Sequence, residues 1–234
     1  MGKNAPLLLL TRPQAQSERF LSQLNSAAWS VISPILDIKA TGKQIDPRSF
    51  SAIILTSANG LIGVDADLAD MPCFAVGDTT AEEARLRGLS VISAGGTSDD
   101  LVKLICAHDP QGPLLFLRGE HSRGDVATRL AEAGIDVQET VTYRQIEHPL
   151  STEAKAALEQ AQNVVIPVFS PRSARLLSQA LAKLPMNAQL TMIAMSDAVA
   201  EAWGSRSKAE VLVVDEPTAQ AMAEAVRAAL KSTS

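Results

Sequence analysis

The sequence predicts an α/β protein built as two lobes. Three observations predict it. Short apolar runs ending in polar turns recur along the 234 residues, Ala/Leu/Glu/Arg-rich stretches with helical spacing lie between them, and one block of the chain repeats another out of order. Short apolar runs bounded by turn signals suit strands buried on both faces of a parallel sheet. Alternation of such runs with amphipathic stretches is the pattern of βα units.

In chain order the strand candidates are PLLLLTR (6–12), ILT (54–56), CFAVGD (73–78), PLLFLRG (113–119), VVIPVFS (164–170) and MIAMSD (192–197). Among the helical stretches, AQSERFLSQL places Phe20, Leu21 and Leu24 on one face. DVATRLAEAG does the same with Val126, Leu130 and Ala133 and stops at Gly134. The repeat pairs FAVGDTTAEEARLRGLSVI (74–92) with IAMSDAVAEAWGSRSKAEVLV (193–213), and GGTSDDLVKLI (95–105) with EPTAQAMAEAV (216–226), Thr97 opposite Thr218. Upstream of each first partner a serine follows a strand, Ser57 in one case and Ser170 in the other. PLLLLTRPQAQ and PLLFLRGEHSR also correspond, with Arg12 and Arg118 both at strand ends.

Two contiguous halves can be drawn through these pieces. A second arrangement also fits: residues 1–36 and 147–234 form one discontinuous lobe, and 41–140 an inserted one. The chain then crosses between lobes at SPILDIKA (33–40) and TVTYRQIE (140–147), with a hinge and a cleft expected there.

The net charge of −5 and the absence of a Lys/Arg-rich run argue against a nucleic-acid partner, as do aromatics at 3% of the composition. Cys73 and Cys106 form no C-x-x-C and are expected to be reduced and semi-buried. The opening MGKNAPLLLLTRPQ has only a four-leucine run, too short for a signal peptide's apolar region or a bilayer span, so a cytoplasmic location is expected. No G-x-G-x-x-G, Walker A, G-x-S-x-G, H-E-x-x-H or acidic metal cluster occurs, and His108, His121 and His148 are scattered. Any chemistry is therefore expected to rest on positioning a reactive substrate and assisting one proton transfer, with no metal site.

The turns TSANG (56–60, holding Ser57 and Asn59), GDTTA (77–81), GGTSDD (95–100) and FSPRS (169–173) each follow an apolar run and open a helical segment. Helix starts present unpaired N–H groups and a positive dipole end. Taken singly, each turn reads as ordinary capping by Ser, Thr or Asp. In a parallel sheet they gather at the carboxyl edge, where ligands bind. Arg12, Arg118, Arg123, Arg144 and Arg172 lie in or beside such turns. As a set they point to an anionic small molecule, since a guanidinium fork matches a carboxylate. Tyr143, the only tyrosine, falls on the return crossing; from composition alone it reads as a strand-end residue with one wet side.

In order and spacing, LLLLTRPQAQSERFLSQL, IILTSANGL, FAVGDTTAEEARLRG, LLFLRGE, TVTYRQ and VFSPRSARLL resemble the uroporphyrinogen-III synthase family over nearly the whole chain. The resemblance implies two flavodoxin-like parallel α/β lobes joined by a two-stranded antiparallel linker, with the cleft between them. It implies a cofactor-free lyase of tetrapyrrole biosynthesis that acts on hydroxymethylbilane, a linear polycarboxylate. It assigns Tyr143 to assisting departure of the substrate hydroxyl, and carries Ser57, Ser170 and Thr80 over as substrate-binding. One turn departs from the family pattern: Ser196-Asp197-Ala198-Val199 stands where relatives often hold Pro-Thr-Thr, so Ser196 or backbone amides must serve on that lobe. The expected binding set is Arg12, Ser57, Asn59, Thr80, Arg118, Ser170, Arg172 and Ser196. A monomer is expected, in transient contact at most with the enzyme that supplies its substrate. The competing reading is a two-lobed binding or sensor protein for a polycarboxylate ligand.

Overall fold

The computed structural model describes residues 5–25, 28–65, 67–121, 125–185, 187–205 and 208–232. In chain order they form β1 (Leu7–Leu10), α1 (Gln14–Leu24), β2 (Trp29–Ile32), β3 (Leu36–Ala40), β4 (Ala52–Leu55), β5 (Pro72–Ala75), α2 (Asp78–Leu86), β6 (Ser90–Ser93) and α3 (Ser98–His108). There follow β7 (Leu114–Gly119), α4 (Val126–Glu132), β8 (Val137–Glu147), α5 (Thr152–Gln160), β9 (Asn163–Val168), α6 (Pro171–Leu181), β10 (Gln189–Ala194), α7 (Asp197–Trp203), β11 (Glu210–Val213) and α8 (Ala219–Ser232).

The chain divides into two compact units. One comprises Met1–Asp37 and Glu147–Ser234, the other Ile38–Ile146. The first holds a parallel sheet in the order β11-β10-β9-β1-β2. Counted along this unit, that is the 2-1-3-4-5 order of flavodoxin-like folds. Leu7 to Leu10 are all buried because successive side chains leave a strand on opposite faces. Leu7 and Leu9 join Leu158, Leu177 and Trp203 on one face, and Leu8 and Leu10 join Phe20, Met222 and Val226 on the other.

The second unit holds the order β3-β8-β7-β4-β5-β6. Read from β7, its strands β8-β7-β4-β5-β6 repeat the layout of the first unit. The sequence repeat is out of order because one unit is a circular permutation of the other: β7 stands for β1, β4 for β9, β5 for β10 and β6 for β11. Its core has the same two sides. Ile54, Phe74 and Phe116 pack under α3 and α4, and Ile53, Leu55, Leu115 and Leu117 pack on the other face around Leu61 and Ala84. The crossing strands β3 and β8 run antiparallel: Thr41 N–H donates to Thr142 O, and His148 N–H to Ile35 O, so partner numbers fall as chain numbers rise. They are continuous with the second unit's sheet, since β8 also pairs with β7.

Four details differ from the sequence expectation. TSANG opens only a single 3-10 turn, Ala58–Leu61, closed by Ile62 N–H on Asn59 O; two glycines within four residues give it little propensity to continue. Ala133 is exposed, and Ile135, beyond Gly134, fills the apolar position instead. Cys106 is exposed while Cys73 is buried. Pro167 sits in β9, which is paired on both sides, although proline cannot donate to a ladder. The β1·β9 register ends at Leu8↔Val165, before Pro167 is reached, so no bond from β1 is lost.

Candidate active site

A ligand crevice in an open parallel sheet forms where neighbouring strands run off in opposite directions, at their carboxyl ends. In the first unit that point lies between β1 and β9. Arg12 follows β1, and Phe169 and Ser170 follow β9. The Arg12 guanidinium stacks on the Phe169 ring, Cζ 4.2 Å from its centroid, while its Nε donates to Gln16 Oε1 at 3.0 Å. Phe20 supports Phe169 edge-on, centroids 5.5 Å apart. Burial first, and then the charge of Arg19, lower the Arg12 pKa from its usual value, but an arginine stays cationic at any working pH.

Ser170 caps α6: its Oγ accepts from Ser173 N–H at 3.2 Å, and Pro171 occupies the first helical position. Arg172, one residue on, donates to Glu147 Oε1 at 2.9 Å. Ser196 precedes α7, where its carbonyl takes Val199 and Ala200 N–H and its side chain makes no cap bond. Val199, the departure from the family pattern, is 1% exposed and belongs to the core.

In the second unit the equivalent point lies between β4 and β7. Ser57 follows β4, with its Oγ accepting from Asn59 N–H at 3.3 Å. Thr80 lies half-buried in the first turn of α2. Arg118 is engaged within its own unit through Nη1 and Nε. Its Nη1 donates to Gly119 O at 3.0 Å, and its Nε lies 2.7 Å from Glu139 Oε1, an ion pair by distance rather than an aligned hydrogen bond. Arg144 is exposed, 3.7 Å from Glu120. Arg123 lies outside the described residues.

Tyr143 arrives from β8. The β7·β8 register runs Arg118↔Val141 and then Gly119↔Tyr143, so Thr142 is an extra residue, a β-bulge. Bulges re-aim the side chains beside them. Thr142 and Tyr143 are consequently both buried, at 3% and 8% exposed. The ring lies on Gly119, where any Cβ would stand 2.5 Å from Tyr143 Cζ; only glycine leaves room for it. Burial raises the phenol's pKa. Ser57 opposes that by favouring the phenolate, although the two side chains form no short, well-aligned hydrogen bond.

Tyr143, Ser57, Arg118 and the Gly119 seat thus gather at one strand-order reversal, and Arg12 and Ser170 at the other. Thr80 and Ser196 each stand one strand further along. Sequence reasoning missed Phe169, Gly119 and Thr142. A phenylalanine just past a strand end and a glycine closing another were the available signals. A cavity of the first unit, about 550 Å³ and lined by Glu159, Asn163 and Gln189, lies at the amino ends of β9 and β10, away from these residues.

A family model, uroporphyrinogen-III synthase HemD, matches residues 15–224. The chain belongs to the uroporphyrinogen-III synthase family. That family is the cofactor-independent cyclising lyase of tetrapyrrole biosynthesis, and it acts on a small-molecule substrate. Among solved structures the chain is similar to uroporphyrinogen-III synthetase from Helicobacter pylori, with 18% identity, TM-score 0.67, and coverage of 95% of this chain and 98% of that one. It is also similar to a mutant uroporphyrinogen III synthase from Thermus thermophilus, with 16% identity, TM-score 0.54, and coverage of 97% and 100%. These likenesses establish the synthase fold. No curated protein matches the chain. Among the described residues no helix is long and apolar enough to cross a membrane.

Proposed function

We propose that this chain closes hydroxymethylbilane to uroporphyrinogen III, with Tyr143 assisting departure of the substrate hydroxyl. The observation that supports the reading is the seat of the chain's one tyrosine: buried at a strand-order reversal on a glycine, with its pKa raised by that burial. A phenol whose ordinary pKa of about 10 is raised further stays protonated at neutral pH and can give its proton to a leaving oxygen.

The carbon–oxygen bond breaks, the oxygen leaves as water with that proton, and the adjacent pyrrole supplies the electrons to form an azafulvene cation. The substituted carbon of ring D attacks it, forming a carbon–carbon bond and a spiro intermediate. The bond from that carbon to its original neighbour then breaks and reforms at the other side of ring D, which inverts the ring. Loss of a proton restores the pyrrole and balances the one donated by Tyr143. The substrate also closes unaided to the uninverted isomer, so the protein's task is to hold one arrangement.

In this reading the substrate carboxylates are taken in the first unit by Arg12, Ser170, Arg172 and Ser196, and in the second by Ser57, Asn59, Thr80 and Arg118. Arg12 is the strongest of these, because its guanidinium plane is already fixed on Phe169. The enzyme is a cytoplasmic monomer that needs no cofactor and meets the preceding enzyme only in passing. Hydroxymethylbilane made in situ, with the uroporphyrin isomers resolved after oxidation, tests the reading. Type III product supports it; type I alone sinks it.

A further inference from the structure

The 3-10 turn after β4 uses most of its own carbonyls. Gly60 N–H donates to Ser57 O, Ile62 N–H to Asn59 O and Val64 N–H to Leu61 O. The Gly60 carbonyl is taken from outside, by the Thr142 hydroxyl at 2.8 Å. That hydroxyl has one proton, and its second contact, Arg118 O at 3.4 Å, is longer. Gly60 is held from the other side as well, since a Cβ there would stand 2.6 Å from Leu117 O on β7. Ser57 is bound into the same turn through Gly60 and Asn59 N–H. The contacts join neighbours: β8 delivers Thr142 and Tyr143 side by side, Thr142 grips Gly60, and the turn of Gly60 carries Ser57, whose hydroxyl favours the Tyr143 phenolate.

A threonine is not required here for packing, since valine has the same outline. A buried hydroxyl at 3% exposure persists because it meets a carbonyl that would otherwise be stranded. We infer that Thr142 is a positioning residue of this enzyme: its hydroxyl clamps the turn bearing Ser57 onto the bulge from which Tyr143 projects. The inference rests on the reading of Tyr143 as the group that assists hydroxyl departure, and goes beyond it in naming what holds that group's surroundings in place.

Tyr143 is the only tyrosine, so phenolate absorbance after a rapid pH jump reports on it alone. Ser57 favours the phenolate, so loosening Ser57 moves the titration midpoint up. Thr142→Val is expected to raise that midpoint and to lower kcat of the order of tenfold or more with KM little changed. Thr142→Ser restores both. Ser57→Ala raises the midpoint as well, and Thr142→Val with Ser57→Ala raises it no further than Ser57→Ala alone, as it must if one residue acts through the other. A Thr142→Val enzyme with the wild-type midpoint and kcat overturns the inference, and so does an additive shift in the double variant. Should Thr142→Val not fold, an unchanged midpoint in Ser57→Ala overturns it equally. Wild-type turnover in Tyr143→Phe would instead overturn the hydroxyl-departure reading, leaving the titration to decide the placement of Ser57 by itself.

Discussion

The two units share one sheet layout and use the same point in it differently. At the β1/β9 reversal the first unit sets a cation on an aromatic face, Arg12 over Phe169, ahead of an 11-residue helix capped by Ser170. At the β4/β7 reversal the second unit replaces that helix with one 3-10 turn, and fills the position with a phenol lying on a glycine. A full helix start suits holding an anion, because its N–H groups and dipole face outward. A short turn bound to a bulge suits holding a phenol away from water. The duplicated fold therefore accounts for where the polar residues gather, and local departures from the duplication account for what each place can do.

The sharpest way to break this division of labour is Tyr143→Phe. It is expected to lower turnover by about a hundredfold or more, with an unchanged midpoint of denaturant unfolding, because only one hydroxyl is lost from a ring that keeps its seat. Near-wild-type turnover would leave the second unit with no distinct chemical part. Gly119→Ala comes next. The added methyl cannot coexist with the ring at 2.5 Å, so the phenol must shift. Turnover is expected to fall by roughly tenfold to a hundredfold, with about 1–3 kcal/mol of stability lost to overpacking.

Alkaline stability should separate the units further. Cys73, buried in the second unit, has its thiol pushed up to about 12 by desolvation, and Tyr143 is shifted in the same direction. Each binds its proton more tightly folded than unfolded, so its contribution is full below the unfolded-state pKa, about 8.5 for the thiol and about 10 for the phenol, and is lost as pH rises toward the folded value. Hydrogen exchange resolved by peptide should show the second unit loosening first between about pH 9 and 12, and Cys73→Val should delay it. The smallest effect is expected from a swap between equivalent turns. Val199→Thr buries a hydroxyl in the first unit's core and should cost about 1–3 kcal/mol in thermal unfolding. Thr80→Val changes a half-buried site in the second unit and should cost less than half as much.

Much of the architecture was legible in the residues. LLLL, VVIPV and LLFL read as doubly buried strands because parallel strands shielded on both faces have no polar side to show. The correspondence of PLLLLTR with PLLFLRG marked a repeat out of order but left two arrangements open. The placement of the candidate residues was legible in part: Ser57, Ser170 and Arg12 are marked by their position after strands, and Tyr143 by its place on a crossing strand. What stayed hidden depends on contacts between residues far apart in the chain. Nothing around Arg118 announces that Glu139 and the Gly119 carbonyl engage it. Nothing in ETVTYR announces a bulge, because its period-2 pattern is compatible with regular pairing. Nothing in TSANG announces that Gly60 lies close against β7, a contact with a strand more than fifty residues away.

Because the second unit is spliced into the first, the earliest strand made is among the last to be finished. Leu7 and Leu8 find Val164 and Val165 as partners only after the whole inserted unit has been synthesised. The second unit is one unbroken stretch and can complete itself on the nascent chain; the first must wait, holding a fully apolar strand against β2 alone. Pairings so distant in sequence slow folding and lengthen the time during which sticky surface is bare. Expression trouble in variants of this protein is thus expected to track damage to β1, β2 and α1 more closely than damage to the site itself.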